Sequence, residues 1–112
     1  MLVQQMYYID NDFLFNIPAA PYRRRICVPL LMATAFGAKS NASHKLVFNG
    51  VTVVEANGKG GTTFEGVSTG TTEFNSWSGF IEANQTATIQ AVASTNGQAS
   101  TPKCINVQFG GW

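Results

Sequence analysis

Charged side chains are scarce in this sequence: they make up 12% of its 112 residues, roughly half of the usual fraction. With 45% hydrophobic residues, a domain of this size cannot bury all of its apolar side chains, and it has few charges to cover its surface. The net charge of +1 argues against general binding to nucleic acid, for which a basic stripe is expected. The composition therefore favours a protein that buries neutral or apolar surface against partners.

Residues that usually carry catalysis or bind metals are almost missing. His44 is the only histidine, and the polar stretch SNASHK around it favours a surface residue over a catalytic one. The two cysteines, Cys27 and Cys104, are far apart and cannot complete a zinc site with one histidine. They are expected to be buried free thiols, with a single disulfide as the alternative. We therefore expect no enzyme, no metal site and no cofactor.

The remaining acidic and glycine-rich stretches match no motif. Two of the four glutamates could face each other as an acid–base pair, but solvent-facing strand positions explain all four. Asp10-Asn11-Asp12 opens like a calcium loop, but Phe15 stands at the sixth position, where glycine is required. The segment 58–61, GKGG, is interpreted as a hairpin turn and not as a phosphate cradle, because no helix start follows it. The apolar run 26–38 is too short to span a membrane, and no signal peptide is expected.

From residue 45 onward, short β-prone runs alternate with turn signals. The runs are 45–48, 51–56, 62–67, 72–83, 86–94 and 103–110, and the turns are predicted at 49–50, 57–61, 68–70, 84–85 and 96–97. Apolar residues alternate in the last two runs, which places Ile89, Val107 and Phe109 in a core. No run has the 3.6-residue period of a helix. The sequence predicts an all-β antiparallel β-sandwich.

Residues 1–44 differ from the rest because they are rich in aromatic rings and prolines. Prolines at this density exclude a long helix, and the segment is too apolar for a disordered tail. We expect an extended N-terminal arm whose rings fill pockets, either on its own sandwich or on a neighbouring subunit. Within this arm, residues 30–38 form either a short helix or an inner strand. The chain is thus predicted as one domain, with an arm at 1–44 and a sandwich core at 45–112.

Three consecutive arginines stand between a tyrosine and an apolar run in PYRRRICVPLL, residues 21–31. As a strand, this segment points Arg23 and Arg25 to one side and Arg24 to the other. Arginines can protect a sheet edge from unwanted pairing, or they can bind carboxylates in a partly desolvated interface. Phosphate binding is a third possibility, but nothing else basic extends the track. We interpret the arginines as a docking strap that reaches an acidic patch on a partner.

The predicted interface residues are the rings of the arm, the arginines and the last residue of the chain: Tyr7, Tyr8, Phe13, Phe15, Tyr22, Arg23, Arg24, Arg25 and Trp112. A second candidate site is Trp77, with Asn75 beside it, in FNSWSGF. An exposed tryptophan ring can stack on a sugar, and burial in the core is the alternative.

The strands in TTFEGVSTGTTEFNSWSGFIEANQTATIQAVAS, residues 62–94, resemble those of the small cement, or decoration, proteins of tailed-phage capsids. The resemblance lies in composition and strand spacing, so no functional residue is carried over. It implies a jelly-roll-like virion subunit, a homotrimer on the capsid surface, bound to the major capsid protein or another virion protein, with no nucleic acid or membrane partner. The sequence is also similar to jelly-roll heads of viral fibres, which implies a receptor- or glycan-binding head as the alternative.

Overall fold

The computed structural model describes residues 3–9, 12–96 and 105–111. They form eight strands: β1 (Val3–Ile9), β2 (Phe13–Ile17), β3 (Arg24–Phe36), β4 (Asn41–Phe48), β5 (Val51–Thr62), β6 (Ser68–Ile81), β7 (Ala87–Asn96) and β8 (Ile105–Gly111). Every recorded strand pair is antiparallel, and these ranges contain no helix. The all-β prediction is confirmed.

The strand order is β1-β8-β3-β6-β5-β4-β7-β2. Strand β5 belongs to both halves of this order, because it pairs with β4 up to Lys59 and with β6 from Gly60 to Thr62. The sheet therefore divides at β5 into two layers, β1-β8-β3-β6 (layer A) and β5-β4-β7-β2 (layer B). An eight-stranded double sheet with this connectivity is a jelly roll, so the predicted sandwich is confirmed.

The hydrophobic core lies between the two layers. Ile26, Val28 and Leu31 of β3 form one buried cluster with Leu46 of β4 and Ile89 of β7. Burying one such side chain contributes about 1.5–3 kcal/mol. The placement of Ile89 in the core is confirmed, while the side chains of residues 107 and 109 lie outside the described part of the structure.

Strand β3 corrects the predicted division of the chain. Residues 1–44 supply β1, β2, β3 and the start of β4, so residue 44 is not a boundary between an arm and a sandwich. Strand β3 lies between β8 and β6, which settles residues 30–38 as an inner strand up to Phe36. The ladder to β6 is irregular between Val28 and Leu31, and this irregularity accommodates Pro29, which has no N–H to donate.

The predicted turns at 57–61 and 68–70 are wrong, since these residues lie inside β5 and β6. The chain reverses at 63–67 instead, where Gly66 has φ +84°. The glycines of β5 serve a close approach between strands: a Cβ at Gly58 would lie 2.7 Å from the amide nitrogen of Ala35 in β3. The predicted turn at 49–50 is confirmed, with positive φ at both Asn49 and Gly50.

Candidate functional site

The side chain of Arg24 forms hydrogen bonds within its own chain. Its Nη1 donates to the carbonyl oxygen of Pro18 at 2.6 Å, and its Nη2 donates to the carbonyl oxygen of Gln85 at 2.9 Å. The half-buried guanidinium thus ties the β2–β3 connection to the β6–β7 connection. Its Nε is buried without a hydrogen-bond partner. This arginine therefore serves the fold.

Arg23 also has partners within the chain. Its Nε donates to Oε1 of Glu82 at 2.8 Å, and its guanidinium carbon lies 3.8 Å from the centroid of the Phe80 ring. The side chains of the ion pair are 54% and 64% exposed, so solvent screens most of their attraction.

Arg25 is exposed and, among the described residues, makes no hydrogen bond or ion pair through its side chain. It lines an open cleft of about 340 Å³ at the irregular part of β3, together with Pro29, Ser76 and Ser78. Of the three arginines predicted to act as a strap, Arg25 is therefore the one with a free guanidinium. The alternation in the sequence places Arg23 and Arg25 on one face of the strand. It cannot show that Arg23 already forms an ion pair with Glu82.

Three exposed phenylalanines lie on the outer surface of layer A: Phe80 is beside Arg25, and Phe74 and Phe36 follow further along the strands. Phe36, Phe74 and Phe80 are 54%, 60% and 47% exposed. In the ladder between β3 and β6, Phe80 pairs with Arg25, and Phe74 pairs with Met32. We call the surface formed by these residues the apolar face: Arg25, Met32, Phe36, Phe74 and Phe80. Three such rings along one surface of a charge-poor protein make this face a candidate interface.

Trp77 and Asn75 point between the layers. The Trp77 ring is half-buried, packs against the core, and lies with its centroid 4.9 Å from that of Phe48. A Cβ at Gly79 would lie 2.7 Å from this ring, so glycine makes room for it. Asn75 donates through Nδ2 to the carbonyl oxygen of Glu55. Both residues contribute to internal packing, and stacking of a sugar on Trp77 stays a prediction.

Asn75 belongs to a polar seam where β5 and β6 separate. Oε1 of Glu73 accepts from the backbone N–H of Asn57 at 3.0 Å. The Thr71 hydroxyl bonds both the N–H and the carbonyl oxygen of Lys59, at 2.8 and 3.0 Å. Side chains at alternate positions of β6 thus replace the backbone ladder along β5. The sequence shows that Thr71, Glu73 and Asn75 alternate with other residues. It does not show that their side chains bond the backbone of β5.

His44 is fully buried in β4, so the prediction of a surface histidine is wrong. The SNASHK stretch contains the start of an alternating strand, in which Ala42, His44 and Leu46 point inward. One ring nitrogen, Nδ1, lies 3.0 Å from the carbonyl oxygen of Met32, and Nε2 has no partner. Burial lowers the pKa of His44 below 6.5, opposed by the bond to Met32 and by the charge of Asp12.

The other predicted site residues are spread over the molecule. Tyr22 is exposed, and Phe15 is half-buried and packed against the core. Tyr7 and Tyr8 lie in β1 and Phe13 in β2, but their side chains, like all of Trp112 and Cys104, lie outside the described part. Cys27 is a half-buried free thiol.

Neither a metal site nor a membrane helix is found in the described ranges. No three His, Cys, Asp or Glu side chains there lie together as metal ligands would. No helix there has the length and apolar character needed to cross a membrane.

The chain matches no protein family model and none of the curated proteins. The solved structures that are similar to this chain include two at low identity. One is the Eiger TNF of S. frugiperda, with a TM-score of 0.45 and 10% identity over 84% of this chain and 61% of the other. The second is the insecticidal delta-endotoxin Cry8Ea1 of Bacillus thuringiensis, with a TM-score of 0.39 and 11% identity over 93% of this chain and 19% of the other. The chain thus spans less than two thirds of either protein, and at this level of similarity neither indicates what it binds.

Proposed function

We propose that the chain is a virion structural protein, a capsid cement subunit that stabilises a shell through protein–protein contacts. Its partner is the major capsid protein or another virion protein, and its place is the capsid surface. The observation that carries this proposal is the apolar face, where three phenylalanines about half exposed lie on one side of a charge-poor jelly roll. Jelly rolls occur in viral capsid proteins, which is compatible with the proposal.

The apolar face of one copy is too small for tight attachment, which favours a subunit that binds the shell in several linked copies, and we propose a homotrimer. Burying a whole phenylalanine side chain contributes about 1.5–3 kcal/mol, so covering three half-exposed rings contributes about 2–5 kcal/mol. Association costs at least about 4 kcal/mol in lost translational and rotational freedom, so one face alone binds weakly. Three linked copies raise the effective concentration of each other's faces and overcome this cost.

Arg25 adds an oriented polar contact to the proposed interface with the shell. Arg23 and Arg24 already bind Glu82 and backbone carbonyls, so the proposed docking strap narrows to Arg25. A carboxylate on the shell protein can accept two hydrogen bonds from its guanidinium. We propose neither nucleic acid nor membrane as a partner, because one free arginine beside phenylalanines does not form a basic track.

The test measures attachment of purified chain to particles that lack it. Phe74→Ser and Arg25→Ala should each weaken attachment about tenfold or more, since each removes a contact from the proposed interface. Phe64→Ser is the matched control: Phe64 is fully exposed, but it lies on the β5–β6 loop, off the apolar face. Normal attachment of both test variants would refute the proposal, as would sedimentation of the wild type as a monomer that binds no shell.

A further inference from the structure

A cleft of different chemistry lies on layer B. It has a volume of about 320 Å³ and runs between the β3–β4 turn and β5. Its polar lining includes Lys39, Asn41, Ser43, Asn57 and Lys59. We call it the lysine cleft.

The β4–β5 ladder assembles this lining. Asn41 pairs with Lys59, and Ser43 pairs with Asn57, so these side chains share one face in two neighbouring rows. Each row combines groups that can donate hydrogen bonds, and their Cβ atoms lie about 5 Å apart. The spacing suits a ligand with several hydroxyl or anionic oxygens.

The backbone at the edge of the lysine cleft is unusually constrained. Lys39 has φ +58°, a left-handed conformation that is uncommon for lysine. The turn is fastened to β5 by the hydrogen bond from Gly60 N–H to the Ser40 carbonyl, at 2.9 Å. A non-glycine residue keeps such a conformation only where the surrounding structure holds it. The turn thus fixes the Lys39 backbone beside the row that contains Lys59.

The charges in the lysine cleft favour an anion. No acidic residue lines it, and among the described residues neither Lys39 nor Lys59 forms an ion pair. Glu73 lies on the other edge of β5, where its carboxylate already accepts the Asn57 N–H. The lining therefore contains two lysines and no acidic counter-charge.

We propose that the lysine cleft binds an acidic saccharide, a sugar that carries a carboxylate or a sulfate ester. The lysine ammonium groups pair with the anion, and the Asn41 and Asn57 amides bond the sugar hydroxyls. Nucleic acid fits less well, because no aromatic side chain lines the cleft for bases to stack on. This site is separate from the apolar face and goes beyond the proposed structural function.

The test is titration of the full chain with three probes: 3′-sialyllactose, a heparin-derived hexasaccharide and neutral lactose. Binding is measured by calorimetry or NMR. At least one acidic probe should bind with a dissociation constant on the order of 1 mM or below, and lactose about tenfold more weakly. Lys59→Gln should weaken acidic binding about tenfold by removing one charge-assisted bond. Lys39→Asn should act similarly, since asparagine accepts the left-handed backbone.

Lys45→Gln is the matched control. Lys45 is an exposed lysine of β4 that does not line the cleft, so its loss should change binding less than twofold. An equal loss for Lys45→Gln would show diffuse charge attraction and overturn the proposal, as would no binding of either acidic probe. Thermal unfolding of each variant verifies folding. Capsid attachment should be normal for Lys59→Gln, so the two proposals fail separately.

Discussion

The three arginines should differ sharply in what they contribute to stability, and Arg24→Ala is the decisive substitution. The guanidinium of Arg24 bonds two backbone carbonyls in different connections, those of Pro18 and Gln85. A hydrogen bond to a charged group contributes about 1.5–3 kcal/mol. The side chain is half-buried, so solvent replaces part of the loss, and we expect a cost of about 2–4 kcal/mol.

Arg23→Ala and Arg25→Ala provide the scale for this cost. Arg23 loses an exposed ion pair and a contact with the Phe80 ring, which together contribute about 1 kcal/mol or less. Arg25 has no side-chain bond to lose among the described residues, so its substitution should change stability by no more than about 0.5 kcal/mol. For a domain of this length, the Arg24→Ala cost lowers the melting temperature by roughly 8–16 °C.

The assay is urea denaturation of the three variants and of Arg24→Lys, with unfolding monitored by fluorescence. Lysine keeps the charge but cannot reach two separate carbonyls with a planar fork, so Arg24→Lys should recover less than half of the loss. The reasoning fails if Arg24→Ala is within about 1 kcal/mol of the wild type. It also fails if Arg25→Ala is equally destabilising.

Three further predictions follow from internal contacts. Gly58→Ala should cost about 2–3 kcal/mol or more in urea denaturation, because its Cβ would meet β3 backbone atoms at 2.7–2.8 Å. Gly61→Ala, whose Cβ would meet only a side-chain hydroxyl at 3.1 Å, should stay within about 1 kcal/mol, and an equal cost would contradict the close approach. The lowered pKa of His44 means that the unfolded chain takes up a proton first, so stability should be complete above pH 6.5 and fall below it. The measurement is thermal unfolding of His44→Gln and the wild type at several pH values. The substitution should reduce the dependence of the unfolding free energy on pH by up to about 1.4 kcal/mol per pH unit, and an unchanged dependence would exclude His44 as its source. Asn75→Ala should cost about 1–3 kcal/mol by leaving the Glu55 carbonyl unpaired, and Asn75→Asp should not restore the loss, because an ionised carboxylate cannot donate.

Alternation was sufficient to predict much of this fold. The inward positions of β7 are Ala87, Ile89 and Ala91, all buried, and the polar residues between them face outward. The Asn49-Gly50 pair accepts positive φ at both residues, so its turn was also predictable. These features depend on local chemistry and on one buried face, which a sequence shows directly.

Glycine was ambiguous for a physical reason. A missing Cβ permits both a turn and a close approach between strands, and the sequence does not distinguish them. At Gly58 the deciding atoms belong to Thr34 and Ala35, which lie in the opposite layer. The polar SNASHK stretch misled in a similar way, because Ser43 and Lys45 conceal the inward row of Ala42, His44 and Leu46. Reading that stretch with period two would have indicated the buried histidine.

On our proposals, the two layers divide the work of the molecule. The apolar face of layer A carries Phe74 and the free Arg25, and the lysine cleft of layer B carries Lys59 among amides and a hydroxyl. A shell that covers the rings of layer A leaves the outer surface of layer B open to solvent, because the two surfaces lie on opposite sides of one core. Buried apolar contacts resist salt, whereas an ammonium–anion contact at an exposed cleft weakens as ions screen it. Added salt should therefore separate the two interactions on a single particle, releasing the saccharide while the subunit stays attached.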